Sequence, residues 1–122
     1  MNYNKVVIMG RLSQDIEVKQ VGSTNKASTS VAVNHGYKDK RESYFFSVEA
    51  WGNTSDRLTQ FWKKGMPILI EGRLKQESWS DQSGQKKSRI LIVAESVHFV
   101  SAKEDGEPEP TKAGSFNDSL PF

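Results

Sequence analysis

A chain of 122 residues with 35 % hydrophobic side chains fits one modest core plus a stretch left outside it. It has no cysteine, which excludes disulfides and thiolate metal centres, and no run near the ~18 apolar residues of a membrane span. The net charge of +2 hides a division: residues 1–100 carry 15 Lys/Arg against 10 Asp/Glu (+5) and residues 101–122 carry 2 against 5 (−3), which suits a polyanion for the body and a different partner for the tail.

In chain order, MNYNKVVIMGR holds four consecutive apolar residues before Gly10, too few for the ~7–15 of a secretion signal, so the expected compartment is the cytoplasm. Lys5–Met9 is short, apolar and β-branched. Asp15–Val21 alternates, and the two pieces read as one long strand bent near Gly10 to Gln14. Gly22–Asn25 is a turn signal, Ala27–Asn34 a second strand, and Gly36–Glu42 (GYKDKRE) a charged loop. Tyr44–Trp51 (YFFSVEAW) is the third strand and the strongest by aromatic content. A helix follows, capped by Thr54 or Ser55, with Leu58, Phe61 and Trp62 on its core face and Lys63-Lys64-Gly65 at its close. Ile68–Trp79 and Ser88–Val100 are the last two strands, joined by a hairpin at Asp81–Gln85.

This order, with one helix between strands 3 and 4, predicts an all-β five-stranded Greek-key barrel of the OB type, with an SH3-like barrel as the other candidate. Gly10 and Gly72 are the expected places where strands curl to close it. Domain 1–102 would bind, and 103–122, rich in Gly, Pro and acids, reads as a disordered acidic tail.

Strand parity locates a surface. In YFFSVEAW, Phe46, Val48 and Ala50 share a core face, with Tyr44 on the same parity; Phe45, Ser47, Glu49 and Trp51 share a wetter one. In Ile68–Trp79 the inward set is Ile68, Ile70, Gly72 and Leu74, and the outward set includes Glu71, Arg73, Lys75, Glu77 and Trp79. Tyr37 stands in a basic loop and Trp79 beside a basic hairpin. Flat rings next to cations suit single-stranded nucleic acid: bases of any sequence stack on the rings, and Lys and Arg neutralise phosphates. An alternative is packing of these rings against protein. No nucleophile–base pair, phosphate-cradling glycine loop or metal-ligand spacing stands out. His35 and His98 read as structural or solvated, so no enzyme, cofactor or metal is expected.

KVVIMGRLSQDIEVK, KKG before ILIEGRL, SWSDQSGQ and the terminal DSLPF together resemble the bacterial single-stranded DNA-binding protein (SSB) family over essentially the whole chain. The resemblance implies an OB fold, homotetramers, and coating of single-stranded DNA in replication, recombination and repair, in the cytoplasm at the nucleoid. It implies base stacking on Tyr37, Phe45, Trp51 and Trp79, the first two standing where Trp is frequent. It implies phosphate contacts at Lys5, Lys19, Lys64 and Lys75; parity adds Arg73, and Glu77 replaces a usual cation. It also implies that Asp118, Ser119, Leu120, Pro121 and Phe122 form a peptide ligand for replication and repair enzymes. The physics agrees: Phe122 can fill an apolar pocket while its carboxylate meets a cation, and Pro121 stiffens the approach. Other readings are a primosomal or RNA-binding OB module, a protein-interaction scaffold without DNA binding, and an OB-fold nuclease using Glu49 or Glu71.

Overall fold

The computed structural model describes residues 1–100. Six strands form one sheet: β1 (Val6–Leu12), β2 (Glu17–Val21), β3 (Thr24–His35), β4 (Glu42–Trp51), β5 (Pro67–Ser80) and β6 (Lys86–His98). One helix, α1 (Gly52–Phe61), links β4 to β5, and a short 3₁₀ turn, Lys38–Lys40, interrupts the β3–β4 loop. The sheet order is β1-β5-β6-β4-β3-β2, and a further β1–β3 pairing closes it on itself. β1 and β2 are the two arms of one strand bent at residues 13–16, as the alternation predicts. The closed circuit therefore runs β1-β5-β6-β4-β3-β1, with β4 and β6 parallel and the other pairs antiparallel. This is a five-stranded Greek-key barrel with a helix between its third and fourth long strands, the architecture of an OB fold.

Two glycines permit the closure. A Cβ at Gly10 would overlap the Ala32 carbonyl, just where β1 meets β3 through Arg11↔Ala32 and Leu12↔Val31. A Cβ at Gly72 would overlap the Val93 carbonyl, next to the register shift between Glu71 and Gly72 that bends β5 across the barrel. Inward-facing Val31, Val48, Ile68, Ile70 and Ile92 fill the interior, and Leu58 and Trp62 close it from the helix side.

The helix differs from expectation at both ends. It starts at Gly52, directly off β4, because Gly52 at φ 59° turns the chain within one residue. Neither predicted cap acts: the Thr54 hydroxyl donates to the Glu95 carbonyl (3.4 Å) and Ser55 is buried inside the helix. It ends at Phe61, short of Lys63-Lys64-Gly65, because Trp62 turns extended and anchors in the core, its indole N–H donating to the Pro67 carbonyl at 3.1 Å. Gly65 N–H is then used by the Leu12 carbonyl (2.8 Å). Phe61, expected in the core, lies at the rim, edge-on to Phe99 at 5.9 Å, since Ser55, Leu58 and Trp62 already occupy the inward stripe.

The predicted core face of β4 is also too long. Val48 and Ala50 are buried, but Phe46 and Tyr44 are exposed, as is Leu74 on β5. They share the inward parity but lie past the β4–β6 pairing at Val48–Ala50, where β4 continues beside β3 and the β5–β6 hairpin projects as an arm.

Candidate nucleic-acid interface

The outward face of β3, β4, β5 and β6 is continuous, and the ladder registers show what stands on it. Residues directly opposite in an antiparallel pair point to the same side. Lys19 of β2 faces Lys26 of β3, and Lys26 faces Trp51 of β4. The Lys26 Nζ lies 5.6 Å from the centre of the half-buried Trp51 ring, a cation–π contact that keeps the ammonium beside the indole. One row across three strands therefore offers a flat ring and two cations. The next row pairs Ser28 with Glu49, which is level with Val93 of β6, itself opposite Arg73 of β5. Phe45, opposite Ala32, is 64 % exposed, and its cleft also holds Ser47, Leu74 and Ile90. At the arm's tip Trp79 faces Lys87, 46 % exposed, in a cleft with Lys86 and Ser88.

The arm's tip is held by one carboxylate. Asp81 Oδ1 accepts hydrogen bonds from the Ser83 hydroxyl (2.7 Å) and from the amides of Ser83 and Gln85 (2.9 Å each). The Ser83 hydroxyl leads, and these donors hold its carboxyl below the ordinary range. A lowered folded-state value means that the carboxylate favours the ordered tip above the unfolded pKa and loses that effect as pH falls through the folded one.

The predicted cations are distributed unevenly. Lys19 and Lys64 are exposed; Lys64 lies past the helix on the wall of a groove shared with Ser28, Glu49 and Arg89. Lys5 precedes β1 beside Asn4, whose side chain is bonded both ways to the Leu74 backbone, so Lys5 sits at the edge of β5 near Arg73. Arg73 is engaged with Glu95 at 3.0 Å, and Lys75 lies between Glu49 (3.8 Å) and Glu77 (3.9 Å). The half-exposed pairs Arg73–Glu95 and Lys75–Glu77 contribute about 0–1 kcal/mol each, which a phosphate can readily displace. Glu77, which replaces a usual cation, is bound by Arg89 at 3.2 Å; that hydrogen bond first, and then the charges of Arg89 and Lys75, hold its carboxyl below the usual range. Tyr37, 73 % exposed, stands apart on the β3–β4 loop.

Parity reasoning missed Lys26, Lys87 and Arg89. Alternation becomes visible only from Ala27, one residue after Lys26, whereas β3 starts at Thr24 and sets Lys26 opposite Trp51. Lys87 and Arg89 were visible in the sequence QKKSR but were not assigned a face. Glu49, expected on a wet face, is buried, because Lys26 and Lys75 close over it from both sides. The two carboxylates considered for a nuclease have unrelated partners: Glu49 has the lysines, whereas Glu71 has His98 at 3.1 Å. His35 tilts against Tyr44 at 6.0 Å. Among the described residues no three His, Asp or Glu side chains group as metal ligands, and no helix is long and apolar enough to cross a membrane. The expected tail, residues 103–122, and its tip at 118–122 lie outside the described residues.

A model of the single-strand binding protein family matches residues 3–100. The chain is 40 % identical over 114 residues to the single-stranded DNA-binding protein of Helicobacter hepaticus, covering 88 % of this chain and 67 % of that one. It is 40 % identical over 107 residues to that of Wolinella succinogenes (83 % and 66 %) and 36 % identical over 124 residues to that of Helicobacter pylori (97 % and 67 %). The chain thus spans about two thirds of the length of these relatives.

Proposed function

From the premise that this chain belongs to the single-strand binding protein family, we propose that it binds single-stranded DNA as a coating protein and not as an enzyme. The observation that carries the proposal is the row Lys19, Lys26 and Trp51, extended on the same outward face by Phe45, Trp79 and Lys87. Bases stack on Trp51, Phe45 and Trp79, with Tyr37 joining from its loop. Lys5, Lys19, Lys64, Arg73 and Lys75 track the phosphates, supported by Lys26 and Lys87. Stacking ignores base identity to first order, so binding is broadly sequence-independent.

The same reading includes assembly into homotetramers. Support comes from Val7 and Met9 on β1, Phe46 on β4, and Leu74 and Ile90 on the β5–β6 hairpin, apolar side chains left exposed by a single subunit. It also places the protein in the cytoplasm at the nucleoid, and assigns Asp118–Phe122 to recruitment of replication, recombination and repair enzymes.

One experiment tests binding and assembly together: light scattering and tryptophan fluorescence on the purified protein, with and without oligo(dT) at low salt. The expected result is a tetramer whose fluorescence is strongly quenched as bases stack, with a binding constant that falls steeply with salt. Fluorescence that stays flat through the titration defeats the DNA-binding reading, and a monomer at all concentrations defeats the tetramer. Competition with RNA and duplex DNA then ranks the nucleic acids. The tail is tested by Phe122→Ala, which should leave oligo(dT) affinity unchanged and abolish capture of the enzymes; loss of DNA affinity would refute that assignment.

A further inference from the structure

Exposed rings also meet cations away from the outward face, at the far end of the helix. Phe61 is 44 % and Phe99 53 % exposed, edge-on to each other with ring centres 5.9 Å apart. Phe99 is supported from beneath, lying nearly parallel to the buried Trp62 at 4.3 Å. Since the indole covers one face of Phe99, its remaining exposure belongs to the other face and the edges. The Arg57 guanidinium is 5.7 Å from the Trp62 ring and 5.5 Å from Phe99. Nearly equal distances to two stacked rings set it beside the pile and not on top, so it does not cap the outer face of Phe99.

The cations here differ from those of the outward face. Lys26, Arg73, Lys75, Lys87 and Arg89 each lie 3.0–3.9 Å from a carboxylate. Among the described residues Arg57, Lys63 and Lys64 have no carboxylate so near. Arg57 donates one hydrogen bond, from Nε to the Val97 carbonyl at 3.3 Å, which leaves its terminal N–H groups for a ligand. Lys63 and Lys64 suit the negative end of the helix dipole, but that effect fades within a turn and Arg57 stands in mid-helix.

These features fit nucleotides better than a peptide. A base needs a flat, supported ring, and stacking on Phe99 would extend the Trp62 pile by one layer. Phosphates need cations that no acid already holds. The patch is also continuous with the groove of the outward face: Lys64 on its wall is three residues from Phe61, at most about 11 Å along the chain.

Resting on the DNA-binding reading above, we propose that Phe99 and Phe61, with Arg57 and Lys63, form a second stacking platform for single-stranded DNA. The strand reaches it by leaving the outward face past Lys64 and turning round the end of the helix. Each subunit then holds more nucleotides than the outward face alone accommodates.

The test has two arms. A long oligo(dT) carrying 5-iododeoxyuridine is irradiated in complex with the whole protein, and mass spectrometry maps the crosslinked peptides. They should include Phe61 or Phe99 besides Trp51 and Trp79. In the second arm, Arg57→Gln combined with Lys63→Gln should make the slope of log affinity against log salt shallower by about 1.4 for each subunit the long strand traverses, two contacts at ~0.7 each. For an oligomer of about 5 nucleotides, near the low end of what one OB fold occupies, slope and affinity should match the wild type. An equal change at both lengths means that the charges act from a distance, and no change at either means that the patch serves packing or a protein partner. Either result overturns the proposal, as does a crosslink map confined to the outward face. The map is read on the wild type, so it decides even if the variant does not fold. Failure of the wild type to bind at all instead removes the DNA-binding reading itself.

Discussion

Replacing Trp51 and Trp79 together by alanine is expected to weaken oligo(dT) binding by about 2–6 kcal/mol while leaving the barrel folded. Each stacked base contributes roughly 1–3 kcal/mol. The two losses should add, because the rings do not share a neighbourhood. Glu49, two residues before Trp51, is level with Val93, whereas Trp79 faces Lys87, and six residues of β6 separate those positions by about 20 Å. Neither ring belongs to the core cluster, so neither substitution leaves a cavity inside the barrel. The Trp51 change also releases Lys26 from its cation–π contact, so that site should lose slightly more than Trp79. Anisotropy of a labelled oligonucleotide is the suitable measurement. The one tryptophan left, Trp62, is buried and should report no quenching. Affinity unchanged within a factor of two would mean that the bases stack elsewhere, and the outward face would lose its assignment.

Much of the barrel was legible in the sequence because its strands obey simple rules. Alternation over Asp15–Val21 and Ala27–Asn34, the aromatic run at Tyr44–Trp51 and the Asp81–Gln85 turn each correspond to an element, and Gly10 and Gly72 mark close backbone approaches between strands. What was not legible depends on where the barrel closes. Parity says that Phe46 points with Val48, but not that the opposing wall has ended by Phe46. The same holds for Leu74. The helix ends escaped because tertiary anchoring overrides capping: the indole of Trp62 is bonded to Pro67 and Gly65 to Leu12, so the last turn is not free to continue to Gly65. For the interface, ring positions could be read directly from alternation, whereas ion pairs across strands could not. Arg73 with Glu95, and Lys75 with both Glu49 and Glu77, emerge only from the register of β4, β5 and β6, which no local pattern specifies. The face is accordingly less basic than its lysines and arginines suggest, and its cations are held in defined places before DNA arrives.

The third tryptophan should behave in the opposite way to the other two. Trp62→Ala is expected to cost about 3–5 kcal/mol of folding stability, a large part of the ~5–15 kcal/mol available to a domain. Trp62 is 2 % exposed and stacks on Phe99 with ring centres 4.3 Å apart and planes 14° apart. The Arg57 guanidinium lies 5.7 Å from its ring. Truncation empties the space beneath the helix and leaves the Pro67 carbonyl without its indole donor at the first residue of β5. The segment from Trp62 to Met66 connects the helix to the barrel and carries Lys64 to the groove, so this anchor fixes indirectly a cation proposed to meet phosphate. Urea unfolding followed by circular dichroism should show a lower midpoint at an unchanged slope. Under conditions where the variant is still fully folded, oligo(dT) affinity should fall only modestly, through slack at Lys64. A variant that keeps its unfolding midpoint but loses DNA binding as strongly as the Trp51 and Trp79 substitutions would place Trp62 at the interface instead, and the division of the three tryptophans between core and surface would be wrong.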